Sequence, residues 1–320
     1  MSESGPESRT GQTLTPARDV SAGDLPASCP LSCSHPFVMG ILGGACVALG
    51  ASLLVAIQTG APGGYGVAAV LAGLGLAAGL FLASIGRCAV FAGTPAPFLA
   101  WFRAEMTTER LASCLLSTLL GNAIGALVVV WLVFLAGQYA LADAQVGQTA
   151  LAIASQKCAL PFVSMLIRGL FGGALVALAL WLAAGARTLV DRAIAVSIPA
   201  VLLVSCGFTH CVSDLYLVPM GLAIQTWEAV PAEGSAITLA AFMLRVFIPG
   251  AIGGLIGAGF AVGALQWAKH ARTAAPCADT TRPRRRVPRS DTTRAPGPHG
   301  TRRRVRPRLD DDETSGPPGT

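Results

Sequence analysis

The chain has 320 residues, of which 53% are hydrophobic and only 12% charged, with a formal net charge of +6. This balance excludes an ordinary soluble globular domain, in which charged residues make up about a quarter of the chain. We therefore expect a polytopic membrane protein.

The chain begins with an arm, residues 1–35, that is rich in Ser, Pro and Gly and too polar to be a signal peptide. We expect this arm to be disordered. Six apolar blocks follow, each near the roughly 20 residues that cross a bilayer. They cover residues 36–58, 66–86, 109–137, 160–185, 193–224 and 239–268. The predicted membrane domain is therefore residues 36–268, with six transmembrane helices.

The last segment, residues 269–320, holds 13 of the 23 Lys and Arg residues and has no apolar face, so we expect a disordered basic tail. Two short loops also contain basic residues. Arg103 and Arg110 follow the second block, and Arg187 and Arg192 follow the fourth. The opposite loops, 58–65 and 138–156, contain neither Lys nor Arg. This asymmetry predicts a multi-pass protein of the inner (plasma) membrane with both termini cytoplasmic.

Two of the blocks are irregular. The second is followed by a loop with Gly93, Thr94, Pro95 and Pro97, and the fifth, too long for one crossing, contains Gly207, Thr209 and Pro219. Non-helical backbone at membrane depth survives where protein or water covers it, and paired interruptions in two halves mark a solute path. We expect these breaks in the second and fifth helices to converge on one pore, with Phe91 and Phe208 at its constrictions.

The fifth block also carries two ionisable residues, His210 and Asp214. An ionisable group at bilayer depth is rarely retained unless it lines a cavity or a path. Burial disfavours the charged imidazole, so His210 is expected to rest neutral, to donate a hydrogen bond to an anion and to relay a proton. A structural histidine bonded to a backbone carbonyl is the alternative. For Asp214, one turn further on, a protonated or histidine-paired carboxyl is favoured over an ionised one, which would repel anions.

Small residues recur at helical spacing in Gly40–Gly44 and in residues 250–259, which predicts close helix packing. The nine cysteines show no metal-ligand spacing, and no Ser/His/Asp set or phosphate loop is evident. We therefore expect no enzyme activity, no cofactor and no metal.

Several motifs resemble the formate/nitrite transporter family. They are GFTH at 207–210 followed by PMG at 219–221, Gly121–Asn122, Arg168–Gly169 with Trp181, Arg187 with Asp191 and Arg192, and Ile248–Pro249. The resemblance implies an aquaporin-like fold with an inverted repeat, assembled as a homopentamer with one pore per protomer for small monovalent anions. It also implies that Lys157 lies in the pore vestibule, where the alternative is an ordinary interfacial lysine.

The chain departs from the family pattern at four places. Ala89–Ala92 stands where an acidic residue and Leu-Phe-Thr are usual, Asp214 replaces an asparagine, and Gly173 and Gly254 replace two more. The resemblance thus leaves the solute open among formate, nitrite, hydrosulfide, acetate and lactate.

Two alternatives from other function classes remain. One is a pore for small neutral solutes. The other is a membrane-anchored interaction protein that acts through its basic tail on anionic lipid, although the tail lacks aromatic residues and nucleic acid is not expected as a partner.

Overall fold

The computed structural model describes residues 34–61, 63–227 and 237–274, and every regular element within these ranges is helical. The long elements are α1 (Ser34–Gln58), α2 (Gly64–Ile85), α3 (Pro95–Phe102), α4 (Thr108–Leu135), α5 (Gln145–Ala159), α6 (Phe162–Gly185), α7 (Leu189–Ser205), α8 (Cys211–Trp227) and α9 (Ile248–Ala274). A 3₁₀ turn, Gln138–Ala140, precedes α5. A short turn, Leu239–Ala241, and a π-helical segment, Phe242–Phe247, lead directly into α9.

The two predicted arms, residues 1–35 and 269–320, lie almost entirely outside the described residues. The hypothesis of a functional tail concerns the second of these arms and therefore also falls outside them. Helix α9 continues past the expected boundary at 268 and ends at Ala274. Helix α1 begins at Ser34, close to the expected start of the membrane domain.

Five helices in the described ranges are long and apolar enough to cross a membrane, namely Pro36–Gln58, Gly64–Ile85, Thr108–Leu135, Phe162–Gly185 and Leu239–Ala268. The fifth predicted block is divided instead into α7 and α8, of 17 residues each. A helix of that length rises about 25 Å and falls short of a typical hydrocarbon core. The expectation of a broken fifth helix is therefore confirmed.

Glycines set the spacing between helices in each half of the bundle. A Cβ added to Gly44 of α1 would meet the carbonyl of Asn122 on α4, and one added to Gly125 would meet the carbonyl of Ile41. In the second half, a Cβ on Gly173 of α6 would meet the carbonyl of Gly254 on α9. Both predicted small-residue faces thus pack backbone against backbone. Gly173 and Gly254, two of the departures from the family pattern, lie at the second crossing.

The motif residues Asp191 and Arg192 have structural contacts. Thr188 and Asp191 form a capping box at the start of α7, in which each side chain bonds the other's main-chain N–H. Arg192 Nη1 donates to the carbonyl of Ser84 at the end of α2, at 3.4 Å. These bonds hold the start of α7 against α2.

The glycine contacts predict that Gly125→Ala destabilises the bundle by about 1–3 kcal/mol, because the added methyl group overpacks the α1–α4 crossing. Gly66→Ala on α2 is the matched control, since an added Cβ there meets nothing within 4 Å. The midpoint of thermal unfolding in detergent, followed by tryptophan fluorescence, distinguishes the two variants. Equal midpoints for both would contradict the packing argument.

Candidate functional site

The first break begins where α2 ends at Ile85. The chain leaves the helix through Arg87, whose φ of 51° lies in the left-handed region, and residues 88–94 then run as a buried loop. Pro95 and Pro97 lie in the first turn of α3, where the missing proline N–H has no intrahelical partner to lose. The expected interruption is present, but the prolines start the next helix and do not end the previous one.

One side chain bonds two main-chain groups of this loop and one of α1. Asn122 of α4 is fully buried, and its Oδ1 accepts from the Phe91 N–H at 2.7 Å. Its Nδ2 donates to the carbonyls of Gly40 at 2.6 Å and Ala89 at 2.9 Å. The motif Gly121–Asn122 identified this residue in the sequence but did not predict its contacts. Its side chain holds the first break between α1 and α4.

The second break repeats the backbone geometry of the first. Gly207 has a φ of 69° and occupies the position that Arg87 has in the first break. The Thr209 N–H donates to the carbonyl of Arg168 at 3.3 Å, as the Ala89 N–H donates to that of Met39 at 3.1 Å. The two halves therefore hold their interrupted helices by equivalent main-chain bonds, as an internal repeat requires.

The side-chain chemistry of the second break is different, because it depends on an ion pair. The Asp214 carboxylate on α8 is completely buried, and its Oδ1 lies 2.9 Å from Lys157 Nζ on α5. The Thr209 hydroxyl donates to this carboxylate, at 2.9 Å to Oδ1 and 2.7 Å to Oδ2, and accepts from Lys157 Nζ at 2.8 Å. We refer to Lys157, Thr209 and Asp214 as the charged triad.

The expectation for Asp214 was a protonated or histidine-paired carboxyl, and the groups that the structure places against this carboxyl are Lys157 and Thr209. The missing information was the partner: Lys157 supplies a positive charge to the same carboxylate, so an ionised form is compensated without the imidazole. Lys157 and Asp214 lie on different helices, and their spacing in the sequence carries no signal of this contact.

His210 lies immediately before α8, and its side chain is only 2% exposed. The main chain of Phe91 in the first break lies next to the imidazole, which brings the two breaks together at this residue. Its Nε2 is buried and has no hydrogen-bond partner among the described residues. A buried polar atom without a partner is costly, and a ligand is one group that can satisfy it.

A cavity of about 510 Å³ leads to the second break. Its wall includes Phe208, Thr209 and Ser213, together with Lys157, whose side chain is 19% exposed, and Arg168. Arg168 is an exposed residue of α6, and its Nη1 donates to the Gly207 carbonyl at 3.2 Å. The family resemblance pointed to this arginine only as a motif residue, and its position on the cavity wall was not predicted.

The remaining predicted site residues lie in or beside the first break, apart from Phe208. Phe208 stacks on Phe171, with ring centroids 4.8 Å apart. Phe91 is buried and does not line the cavity. Thr94 bonds both the N–H and the carbonyl of Val90, and Gly93 packs so closely that an added Cβ would lie 2.7 Å from Val176. These two residues shape the first break and do not face the cavity.

The sequence is similar to known proteins. Residues 24–268 match the family described as formate/nitrite transporter. The chain is 30% identical to the formate channel FocA of Escherichia coli strain K12 over 217 residues, which cover 65% of this chain and 76% of that one. It is 26% identical to FocA of Haemophilus influenzae over 240 residues, which cover 72% and 84%.

The fold is also similar to solved structures. A structure described as a pentameric formate channel with formate bound superposes with a TM-score of 0.69 at 25% identity, covering 75% of this chain and 98% of that chain. A second, described as an ion channel of the same family, gives 0.65 at 21% identity. The expected all-helical, aquaporin-like fold is confirmed. These proteins are channels, which confirms that the chain is not an enzyme.

The bonds of Asn122 predict that Asn122→Ala destabilises the protein by at least about 1–3 kcal/mol, because the Phe91 N–H and two carbonyls lose a buried partner together. Thr118→Val on the same helix is the control, since the Thr118 hydroxyl donates within its own helix, to the carbonyl of Cys114 one turn away. Thermal unfolding in detergent measures the difference. An Asn122→Ala midpoint equal to that of Thr118→Val would mean that the first break does not depend on the amide.

Proposed function

The chain belongs to the formate/nitrite transporter family, and from this premise we propose that it is a channel for small monovalent anions of weak acids, such as formate or nitrite. The observation that carries the proposal is the buried, unpartnered Nε2 of His210 where the two breaks meet. A permeating carboxylate or nitrite would supply the missing partner.

The proposed path starts in the cavity, passes Phe208 and Thr209, reaches His210, and continues past Phe91 in the first break. Because the Phe91 N–H is already donated to Asn122, the imidazole N–H that faces Phe91 donates to its carbonyl, and Nε2 of the neutral ring carries a lone pair. The protonated imidazole donates its Nε2–H to an arriving anion and then transfers that proton to it. Protonation removes the charge of the weak acid, and with it most of the desolvation penalty for crossing an apolar constriction. Passage of the acid is therefore linked to protons.

The assembly and placement follow from the same premise. We propose a homopentamer in the inner membrane, supported by the pentameric structure that the chain resembles. Large apolar side chains are exposed on the outside of the helices, among them Leu116, Leu132 and Leu135 of α4, which lipid tails or a neighbouring protomer would cover. Cytoplasmic termini remain the orientation that the basic loops favour.

A pore for small neutral solutes is the second candidate, and the charged triad favours it. Asp214 cancels the charge of Lys157, so one of the two cations of the cavity contributes little net charge. Flux that depends on neither membrane potential nor pH would support this candidate over the anion channel.

The position of His210 predicts that His210→Asn lowers proton-linked formate flux by about 100-fold, because asparagine donates a hydrogen bond but carries no proton to the anion. The measurement is internal acidification of dye-loaded proteoliposomes after a formate gradient is imposed. Thr226→Val, at the far end of the same α8, controls for handling of the variant protein. A histidine variant with the parent's rate and pH profile would contradict the mechanism.

The charged triad predicts that replacing Asp214 is tolerated and that replacing Lys157 is not. Asp214→Asn keeps or increases anion flux, because it frees the Lys157 ammonium while an amide retains hydrogen bonds to Thr209. Lys157→Gln lowers the yield of folded protein, because it leaves a carboxylate buried without a counter-ion, a loss of about 3–5 kcal/mol. Gel filtration and initial uptake rates measure both effects. A loss of flux in Asp214→Asn would show that this pore needs the carboxylate.

A further inference from the structure

The cavity contains two cationic side chains, and their electrostatic situations differ. Lys157 lies 2.9 Å from a fully buried carboxylate, so the pair presents a dipole to an approaching anion and not a net charge. A dipole attracts an ion less than a monopole does, and its field falls off faster with distance. Lys157 is therefore a weak attractor for anions in this chain.

Arg168 keeps its net charge. Its Nη1 donates to a neutral group, the Gly207 carbonyl at 3.2 Å, and it forms no ion pair with a carboxylate among the described residues. A guanidinium has five N–H donors in a planar fork, and this bond uses one of them. The side chain is exposed on the wall of the cavity, so its remaining donors are accessible to a solute.

We propose, on the basis of the proposed anion channel, that Arg168 is the residue that recruits the permeating anion and selects its shape. A guanidinium binds a planar group with two oxygens through two parallel hydrogen bonds. Formate, acetate and nitrite have this shape, whereas hydrosulfide offers one atom. The substrate class is therefore the planar two-oxygen anion, held at Arg168 one step before Thr209 and His210.

The geometry around Arg168 supports a position on the path. Its own carbonyl accepts from the Thr209 N–H at 3.3 Å, and its Nη1 lies against Gly207. Both neighbours belong to the second break, so an anion held by the guanidinium is next to the loop that leads to His210. The left-handed backbone of Gly207 turns its carbonyl toward the guanidinium and fixes the arginine there.

The test compares initial uptake of formate and of hydrosulfide into proteoliposomes, as a function of concentration, for Arg168→Gln, Arg168→Lys and Lys157→Gln. Arg245→Gln is the matched control, because Arg245 is exposed on the π-helical segment near Cys158 of α5 but does not line the cavity. We expect Arg168→Gln to raise the half-saturating formate concentration about tenfold at low ionic strength, with a similar maximal rate. The difference should shrink above about 0.5 M salt, because screening weakens attraction at a distance.

Arg168→Lys separates charge from shape. We expect it to keep most of the recruitment and to lose the preference for formate over hydrosulfide, because an ammonium has no planar fork. This variant carries the test alone if Arg168→Gln is not recovered folded, and an unchanged preference then contradicts the proposal.

Other outcomes overturn the inference in a recognisable way. The half-saturating formate concentration could stay unchanged in Arg168→Gln and rise in whatever Lys157→Gln protein is recovered folded. That result would assign recruitment to Lys157. Equal effects of Arg168→Gln and Arg245→Gln would mean that only general surface charge matters. If the parent protein takes up neither anion, the proposed function itself fails, which is distinct from an anion channel that does not use Arg168.

Discussion

The structure depends on one constraint, which is that interrupted helices at membrane depth expose N–H and carbonyl groups that lipid cannot satisfy. Each half of the bundle meets this constraint with the same main-chain bond to the neighbouring helix, from Ala89 to Met39 and from Thr209 to Arg168. The halves then differ in their side chains. The first break is held by a neutral amide, Asn122, and the second by the charged triad. A fold built on a repeat thus combines an uncharged break with an ionic one.

Close helix packing makes those bonds possible. The Asn122 amide reaches the Gly40 carbonyl only because α1 and α4 approach through glycines, and Gly172 lets α6 lie directly against the Thr209 carbonyl. Larger residues would separate the helices and leave the loops without partners. The small residues at these helix crossings are therefore as necessary to the arrangement of the two breaks as the polar ones.

Much of this arrangement was accessible from the sequence. Apolar block lengths predicted five helices long enough to cross a membrane, the glycines predicted the packing faces, and the two irregular blocks predicted the two breaks. The Gly93–Pro97 stretch predicted the first break, but the sequence did not show that Pro95 starts the next helix, because the same residue that disrupts a helix interior fits its first turn. The Lys157–Asp214 contact was missed for a different reason. It joins side chains on separate helices, and neither periodicity nor motif spacing records which helices meet.

The charged triad also constrains how such a chain arises by single substitutions. A lysine at 157 without its carboxylate is tolerable, because part of the side chain reaches the cavity and water. A carboxylate at 214 without its lysine is not, because it is wholly enclosed. The carboxylate therefore depends on the lysine more than the lysine depends on the carboxylate. Once Asp214 is present, the ion pair therefore restricts which residues are tolerated at position 157.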